Sequence, residues 1–304
     1  MGHRKGKVFL QEVGPRDGLQ NESRSLSPEI RAELIDALAD AGLSRIQIGS
    51  FVNPRRVPQM LGTQLVWRLV NKRPETRYTA LVLNEKGLDQ ATSENIPHVE
   101  MYVSASHTHS VKNSGTRVEK ALADVTRMIG TAVANGLGVT AGVMCAFGCF
   151  YEGPVSIESV LRIIERFEEN HPDEIVLADT TGMGQPQRIM KMIESVERIT
   201  GIDRIGIHLH DTHGLGFANL KAALEMGVRR FDTSVGGLGG CPFIPDAEGN
   251  ISTERTVQTV ESLGFITGID VKKIIRVRER LEQLLVKSLP TRKTEPDPEL
   301  PAKE

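Results

Sequence analysis

The 304-residue chain predicts an α/β fold, a single (β/α)8 TIM barrel with one additional C-terminal helix. Three observations carry this expectation. Short β-rich apolar runs alternate with amphipathic helical segments as far as about position 265, the repeats number eight, and polar residues gather after the ends of strands distant in sequence, where a barrel builds its site. A doubly wound open sheet shares the alternation. No Gly-x-Gly-x-x-Gly follows the first strand, however, so a dinucleotide-binding sheet loses its main support.

Strands are expected over 8–13, 45–50, 77–82, 98–104, 138–145, 173–179, 204–210 and 230–235, and helices over 28–41, 57–72, 85–92, 116–135, 156–169, 185–198, 216–226 and 252–263. The first helix shows the logic: Ser27 caps it, Pro28 suits its first turn, Leu34 and Leu38 form its buried stripe, and Gly42 ends it. Residues 269–286 read as the additional helix, placed on the barrel's outside or on another subunit. Residues 1–286 then form one domain. Residues 287–304, with four prolines and many charges, read as a disordered tail.

Composition excludes several roles. Lys+Arg number 37 and Asp+Glu 39, so the net charge of -2 offers no bulk attraction for nucleic acid or an anionic membrane. Three Cys cannot form a disulfide framework, which suits a reducing compartment. No apolar run approaches the roughly 18 residues of a membrane span, the N-terminus has no signal core, and Gly6 weakens a myristoylation signal, so a cytoplasmic location is expected. Gly, 29 of the 304 residues, exceeds the usual share of about 7% and clusters near strand ends.

The chemistry begins with His208-Leu209-His210 at the end of the seventh expected strand. Residues two apart share a strand face, so the imidazoles project together into the barrel, a chelating arrangement. A hydrogen-bonded pair of core histidines is the equal alternative. Glu12, Arg16, Asp17 and Gln20 surround a Gly/Pro turn after the first strand; a carboxylate with two imidazoles suits Mg²⁺, Mn²⁺ or another divalent ion, whereas a local Arg16–Asp17 ion pair is the simpler reading of that turn alone. After the eighth strand, Gly236-Gly237-Leu238-Gly239-Gly240-Cys241-Pro242 could close over a substrate, form a tight turn or cradle a phosphate. Of the thiols, Cys241 is better placed for function than Cys145.

Together, Val13-Gly14-Pro15-Arg16-Asp17-Gly18-Leu19-Gln20-Asn21-Glu22, His208-Leu209-His210-Asp211-Thr212 and Gly237-Leu238-Gly239-Gly240-Cys241-Pro242 resemble the hydroxymethylglutaryl-CoA lyase family. Ser50-Phe51-Val52-Asn53-Pro54, Tyr151-Glu152-Gly153, Asp179-Thr180-Thr181-Gly182 and Gly249-Asn250 extend the similarity across about residues 7–286. The resemblance implies cleavage of 3-hydroxy-3-methylglutaryl-CoA to acetoacetate and acetyl-CoA, as in leucine catabolism and ketone-body formation, by a homodimer or higher homo-oligomer. It implies Asp17, His208, His210 and Asn250 as ligands of Mg²⁺ or Mn²⁺, and Arg16, Cys241, Glu12 and Asp17 as catalytic groups. Arg16 would face the thioester oxygen and Cys241 the proton transfer. Gln20, Ser50, Tyr151, Asp179 and Thr180 would contact substrate, with Asp211 or Asp179 orienting the imidazoles.

The clearest departure is Gln47, where the family usually carries a catalytic glutamate, because Gln keeps the size and hydrogen bonds but not the charge or the exchangeable proton. Ser23, Phe150 and Phe243-Ile244-Pro245-Asp246 also differ from the family pattern, and Arg24 is a candidate replacement cation. These departures point to two alternatives, a lyase for a related 3-hydroxy-3-carboxymethyl acyl-CoA or a catalytically silent barrel. A condensing synthase would need a different first motif and a further domain. His107 and His109, after the fourth strand, are read as surface residues.

Overall fold

Residues 5–239 and 249–289 are described by the structure, a computed structural model. Eight parallel strands close into a barrel in chain order: β1 (Phe9–Glu12), β2 (Arg45–Phe51), β3 (Arg77–Val82), β4 (His98–Ser104), β5 (Gly138–Met144), β6 (Glu174–Asp179), β7 (Ile205–Leu209) and β8 (Arg230–Thr233). β8 pairs back onto β1 from Phe9 opposite Arg230 to Glu12 opposite Thr233. Around them lie α1 (Pro28–Asp40), α2 (Thr63–Leu69), α3 (Glu85–Ser93), α4 (His107–Ser114), α5 (Val118–Ala134), α6 (Ile157–Glu168), α7 (Pro186–Thr200), α8 (Gly216–Glu225), α9 (Thr253–Ser262) and α10 (Val271–Leu285). The expected eight-fold repeat is therefore present and closed.

Local chemistry explains the helix starts. The side chains of Ser27, Asn84, Ser106 and Ser156 each accept a backbone N–H of the turn that follows, satisfying a donor the helix cannot. Leu34, Ile35 and Leu38 then bury the inner face of α1. The expected terminal helix is α10; Asp270 caps it, and the helix packs on α1 and α9, outside the barrel.

Three expectations change. The helix expected over 57–72 is divided into a 3-10 turn, Pro58–Met60, and α2, because Gly62 lies between them in the left-handed region at φ 78°. His107 and His109 begin α4, and His109 is buried with Nδ1 3.0 Å from Ser104 Oγ, so it is not a surface residue. The tail does not start at 287: Lys287 Nζ lies 2.6 Å from Glu22, and Leu289 is buried with its N–H donated to Glu282. Residues 290–304, also assigned to the disordered tail, lie outside the described residues.

The lumen is unusually polar for a barrel ordinarily filled by branched aliphatic side chains. Gln11 on β1 donates from Nε2 to Glu100 on β4 at 3.0 Å and to Asp232 on β8 at 3.3 Å; since β1 and β4 are not neighbours, Gln11 and Glu100 must both face the lumen. Below them Glu174 gathers Arg45, Arg77 and Arg230, sealing the N-terminal end. On β4, alternation places His98, Glu100 and Tyr102 on the same face. Their bulk is matched by β5, where Gly142 stands opposite Tyr102 and a Cβ there would collide with its ring.

Glu12, next to Gln11, points the other way. Its Oε1 accepts the N–H groups of Gly14 and Val235, both at 2.9 Å, and its Oε2 accepts the Thr253 hydroxyl at 2.6 Å. It thus braces the turn after β1 to the chain after β8. Burial outweighs these hydrogen bonds and raises its pKa from 4.5 to about 8. The folded protein keeps this proton more tightly than the unfolded chain, so the contribution to stability is full below pH 4.5 and lost as pH rises through about 8. Glu12→Gln, which imitates the protonated form, is expected to flatten this dependence. Urea unfolding between pH 5 and 9 should show wild type losing roughly 2–4 kcal/mol relative to the variant; parallel pH curves would refute the assignment.

Candidate metal centre and active site

The turn after β1 is a short π-helical segment, Gly14–Gly18, that lifts Arg16 and Asp17 over the barrel mouth. A Cβ at Gly14 would lie 2.5 Å from Glu12 Oε1, so the brace and the glycine require each other. Asp17 Oδ1 accepts from Arg16 Nη1 at 2.6 Å and from Gln20 Nε2 at 2.9 Å, while Oδ2 accepts from Asn250 Nδ2 at 2.8 Å. Arg16 Nε donates to Gln47 Oε1. The expected Arg16–Asp17 ion pair exists, but as one part of a larger cluster.

Asp17, His208 and His210 offer ligand atoms that all lie within 4.8 Å of one another. The two rings are 5.1 Å apart, as residues of one strand face should be, and His210 forms a bridge with Asn250 just beyond β7. Among the described residues, His210 Nδ1 and Asn250 Oδ1 are buried without a hydrogen-bond partner. Orphaned acceptors in a buried cluster are costly unless something else fills them. A carboxylate, two imidazoles and an amide oxygen suit a divalent ion, so the residues present fit the group.

Electrostatics favours the binding-competent forms of Asp17 and His210. Burial opposes ionisation of Asp17, but the charges of Arg16, His208 and His210 and the Asn250 hydrogen bond bring its pKa down to about 2. Burial, assisted by His208, lowers His210 to about 3 and keeps that imidazole neutral. For His208 burial acts downward too, yet the Asp232 hydrogen bond and charge, with Asp17, outweigh it and raise the pKa. Asp232 Oδ2 lies 3.1 Å from His208 Nδ1, leaving Nε2 for a ligand.

Asp232 is the residue that sequence reasoning missed. Asp211 accepts the Gly216 N–H at the start of α8, and Asp179 accepts the Gly184 N–H with both carboxylate oxygens. The signal for Asp232 was its place in the Phe231-Asp232-Thr233 strand, directly opposite His208 in the β7–β8 register. Burial raises Asp179 to about 7. Thr180 Oγ1 accepts the Cys145 N–H, Ser50 is buried near the end of β2, and Tyr151 sits at the outer rim beneath Lys112. Arg16, Asp17, Gln20, His208, His210 and Asn250 are brought together, while Glu12 faces away; Cys241 lies outside the described residues.

Barrel and site define the class, a carbon–carbon lyase on a TIM barrel. The chain belongs to the family described as HMGL-like, whose model matches residues 7–281. It is 39% identical over 294 residues to an (R)-citramalyl-CoA lyase of Chloroflexus aurantiacus, covering 93% of this chain and 92% of that protein. It is also 39% identical over 279 residues to a hydroxymethylglutaryl-CoA lyase of Pseudomonas mevalonii, covering 92% of each. Among solved structures, the HMG-CoA lyase of Bacillus subtilis superposes with a TM-score of 0.91 at 36% identity, covering 94% of this chain and 96% of that one. An HMG-CoA lyase of Acinetobacter baumannii, solved with coenzyme A and 3-methylmalate, has a TM-score of 0.90 at 34% identity and covers 98% of both. The silent-barrel alternative is set aside. Among the described residues no helix is long and apolar enough to cross a membrane.

The ligand assignment is tested by titration with Mn²⁺ followed by electron paramagnetic resonance. Asp17→Ala and His210→Ala are expected to abolish binding, and Asp232→Ala to weaken it about 10–100-fold by freeing the His208 ring. Wild-type affinity in Asp17→Ala or His210→Ala would overturn the ligand set.

Proposed function

We propose that the protein cleaves a 3-hydroxy-3-methyl acyl-CoA carrying a free carboxylate, with 3-hydroxy-3-methylglutaryl-CoA as the leading substrate and acetoacetate and acetyl-CoA as products. The observation that carries this reading is the convergence of Asp17, His208, His210 and Asn250 beside Arg16 at the barrel mouth. A divalent ion, Mg²⁺ or Mn²⁺, held by these groups would polarise the hydroxyl and carboxylate oxygens of the substrate.

The remaining chemistry belongs to the chain. Arg16 is held on two sides, by Asp17 and by Gln47, so its guanidinium is fixed before substrate arrives. Aimed at the thioester oxygen, it stabilises the charge that develops there as the acetyl-CoA enolate departs, and a preorganised donor of this kind supplies about 3–4 kcal/mol. Gln47 accepts from Arg16 without adding a second negative charge, which leaves the guanidinium more electropositive than a carboxylate there would. Gln20 steadies Asp17, and Asp179, Thr180, Ser50 and Tyr151 supply the walls and rim that meet the acyl chain. Cys241 is the proposed proton donor to the enolate carbon.

A second reading rests on Gln47 together with the citramalyl-CoA lyase relative: the same cleavage of citramalyl-CoA, whose carboxylate sits directly on the carbinol carbon, giving acetyl-CoA and pyruvate. Purified protein with Mg²⁺ or Mn²⁺ separates the two. Turnover of 3-hydroxy-3-methylglutaryl-CoA should yield acetoacetate and acetyl-CoA in equal amounts, and Arg16→Gln should lower kcat about 10²–10³-fold. Pyruvate from citramalyl-CoA without acetoacetate from the longer thioester would assign the shorter acid; no cleavage of either would overturn the proposal.

A further inference from the structure

The lumen holds a second buried polar cluster that the metal centre does not use. Glu100, fully buried on β4, accepts the Thr79 hydroxyl and the Gln11 amide on Oε1 and the Tyr102 hydroxyl, at 3.1 Å, on Oε2. No cation touches it among the described residues. Gln11 donates to Asp232 as well, so this cluster stands directly beneath the group that holds His208. Tyr102 is the half-buried member, one pleat nearer the mouth, and its ring occupies the space cleared by Gly142. Its hydroxyl is joined through Glu100 and Gln11 to Asp232, and so to His208, which links it to the site by hydrogen bonds.

Resting on the function proposed above, we propose that Tyr102 is a catalytic residue of the cleavage and that Glu100 is the positioning carboxylate behind it, the two forming a relay for the proton of the substrate's C3 hydroxyl. The observed hydrogen bond runs in the direction this requires, from Tyr102 Oη to Glu100. As the hydroxyl O–H bond breaks, its proton passes to Tyr102 Oη while the phenolic proton moves to Glu100 Oε2. The C2–C3 electron pair becomes the thioester enolate, C3 becomes the carbonyl carbon, and the enolate carbon then takes one proton from a separate acid. Glu100 returns its proton to solvent once product leaves.

The surroundings suit a proton acceptor. Burial and the neighbouring Asp232 raise the proton affinity of Glu100, and burial with Glu100 raises that of Tyr102, so the phenol carries its proton at rest. Gln47 lies close enough to favour the ionised form of Glu100, while its Nε2 has no partner at hydrogen-bonding distance among the described residues. The carboxylate absent from position 47 is thus present two strands away, on the same lumen.

The test compares Tyr102→Phe and Glu100→Gln with wild type on 3-hydroxy-3-methylglutaryl-CoA and citramalyl-CoA. Each variant should lose about 100-fold or more in kcat. KM, Mn²⁺ affinity and the thermal unfolding midpoint should remain close to wild type. Adding Gln47→Glu to Glu100→Gln should restore at least tenfold, because it returns a carboxylate to the lumen. Wild-type kcat in both single variants would overturn the relay alone, as would activity lost only together with Mn²⁺ binding or stability. Wild type idle on both thioesters would overturn the function on which the relay rests, and the relay with it.

Discussion

Parallel pairing of β8 with β1 brings the Arg16–Asp17 turn against a segment that the chain reaches only after completing the barrel, so that Asn250 donates to Asp17 across 233 positions of sequence. The seam is held by more than its ladder. Glu12 turns away from the lumen and ties Gly14 on one side to Val235 and Thr253 on the other, with no water-facing surface left. A register slip of one residue would exchange Gln11 with Glu12 and undo both the brace and the lumen network. The position of Asp17 relative to His208 and His210 therefore depends on a strand pairing that neither motif contains.

The interior carries an electrostatic cost that most barrels avoid. Glu100 and Asp232 are buried carboxylates sharing one amide, and Glu174 sits below them among three arginines. Buried polar networks of this kind are tolerable only when nearly every member is satisfied, because the low local dielectric that strengthens each bond also raises the penalty for a missing one. At the mouth, Gln47, His210 and Asn250 each keep a buried atom with no hydrogen-bond partner among the described residues.

The barrel was legible because each unit is locally consistent: a β-rich run, a capped amphipathic helix and a turn, repeated until closure became the economical reading. The imidazole pair was legible for the same local reason, since alternation alone fixes that His208 and His210 share a face. Glu12 misled because one residue decides the face of a strand, and a motif read as a string does not show that Gln11 takes the lumen and Glu12 the buried face outside it. Asp232 escaped because its significance lies wholly in register, opposite His208. α4 escaped because Ser106-His107-Thr108-His109 has no apolar stripe; its Ser106 cap was the available signal.

Gln47 changes meaning once the lumen is seen in three dimensions. In sequence it is a lost carboxylate; in the structure it is a neutral spacer between Arg16, to which it presents its oxygen, and Glu100, toward which its amide exerts a favourable field. A third carboxylate, at position 47, would face Glu100 and Asp232 in the same low-dielectric lumen, and three such charges would drive one another toward the protonated form. The amide avoids that conflict. Among the described residues it leaves Arg16 with one charged partner, Asp17, and leaves Glu100 to serve Tyr102. Position 47 and position 100 therefore have to be considered as one electrostatic unit, in which neutrality at the first avoids adding a further charge beside the buried carboxyl at the second.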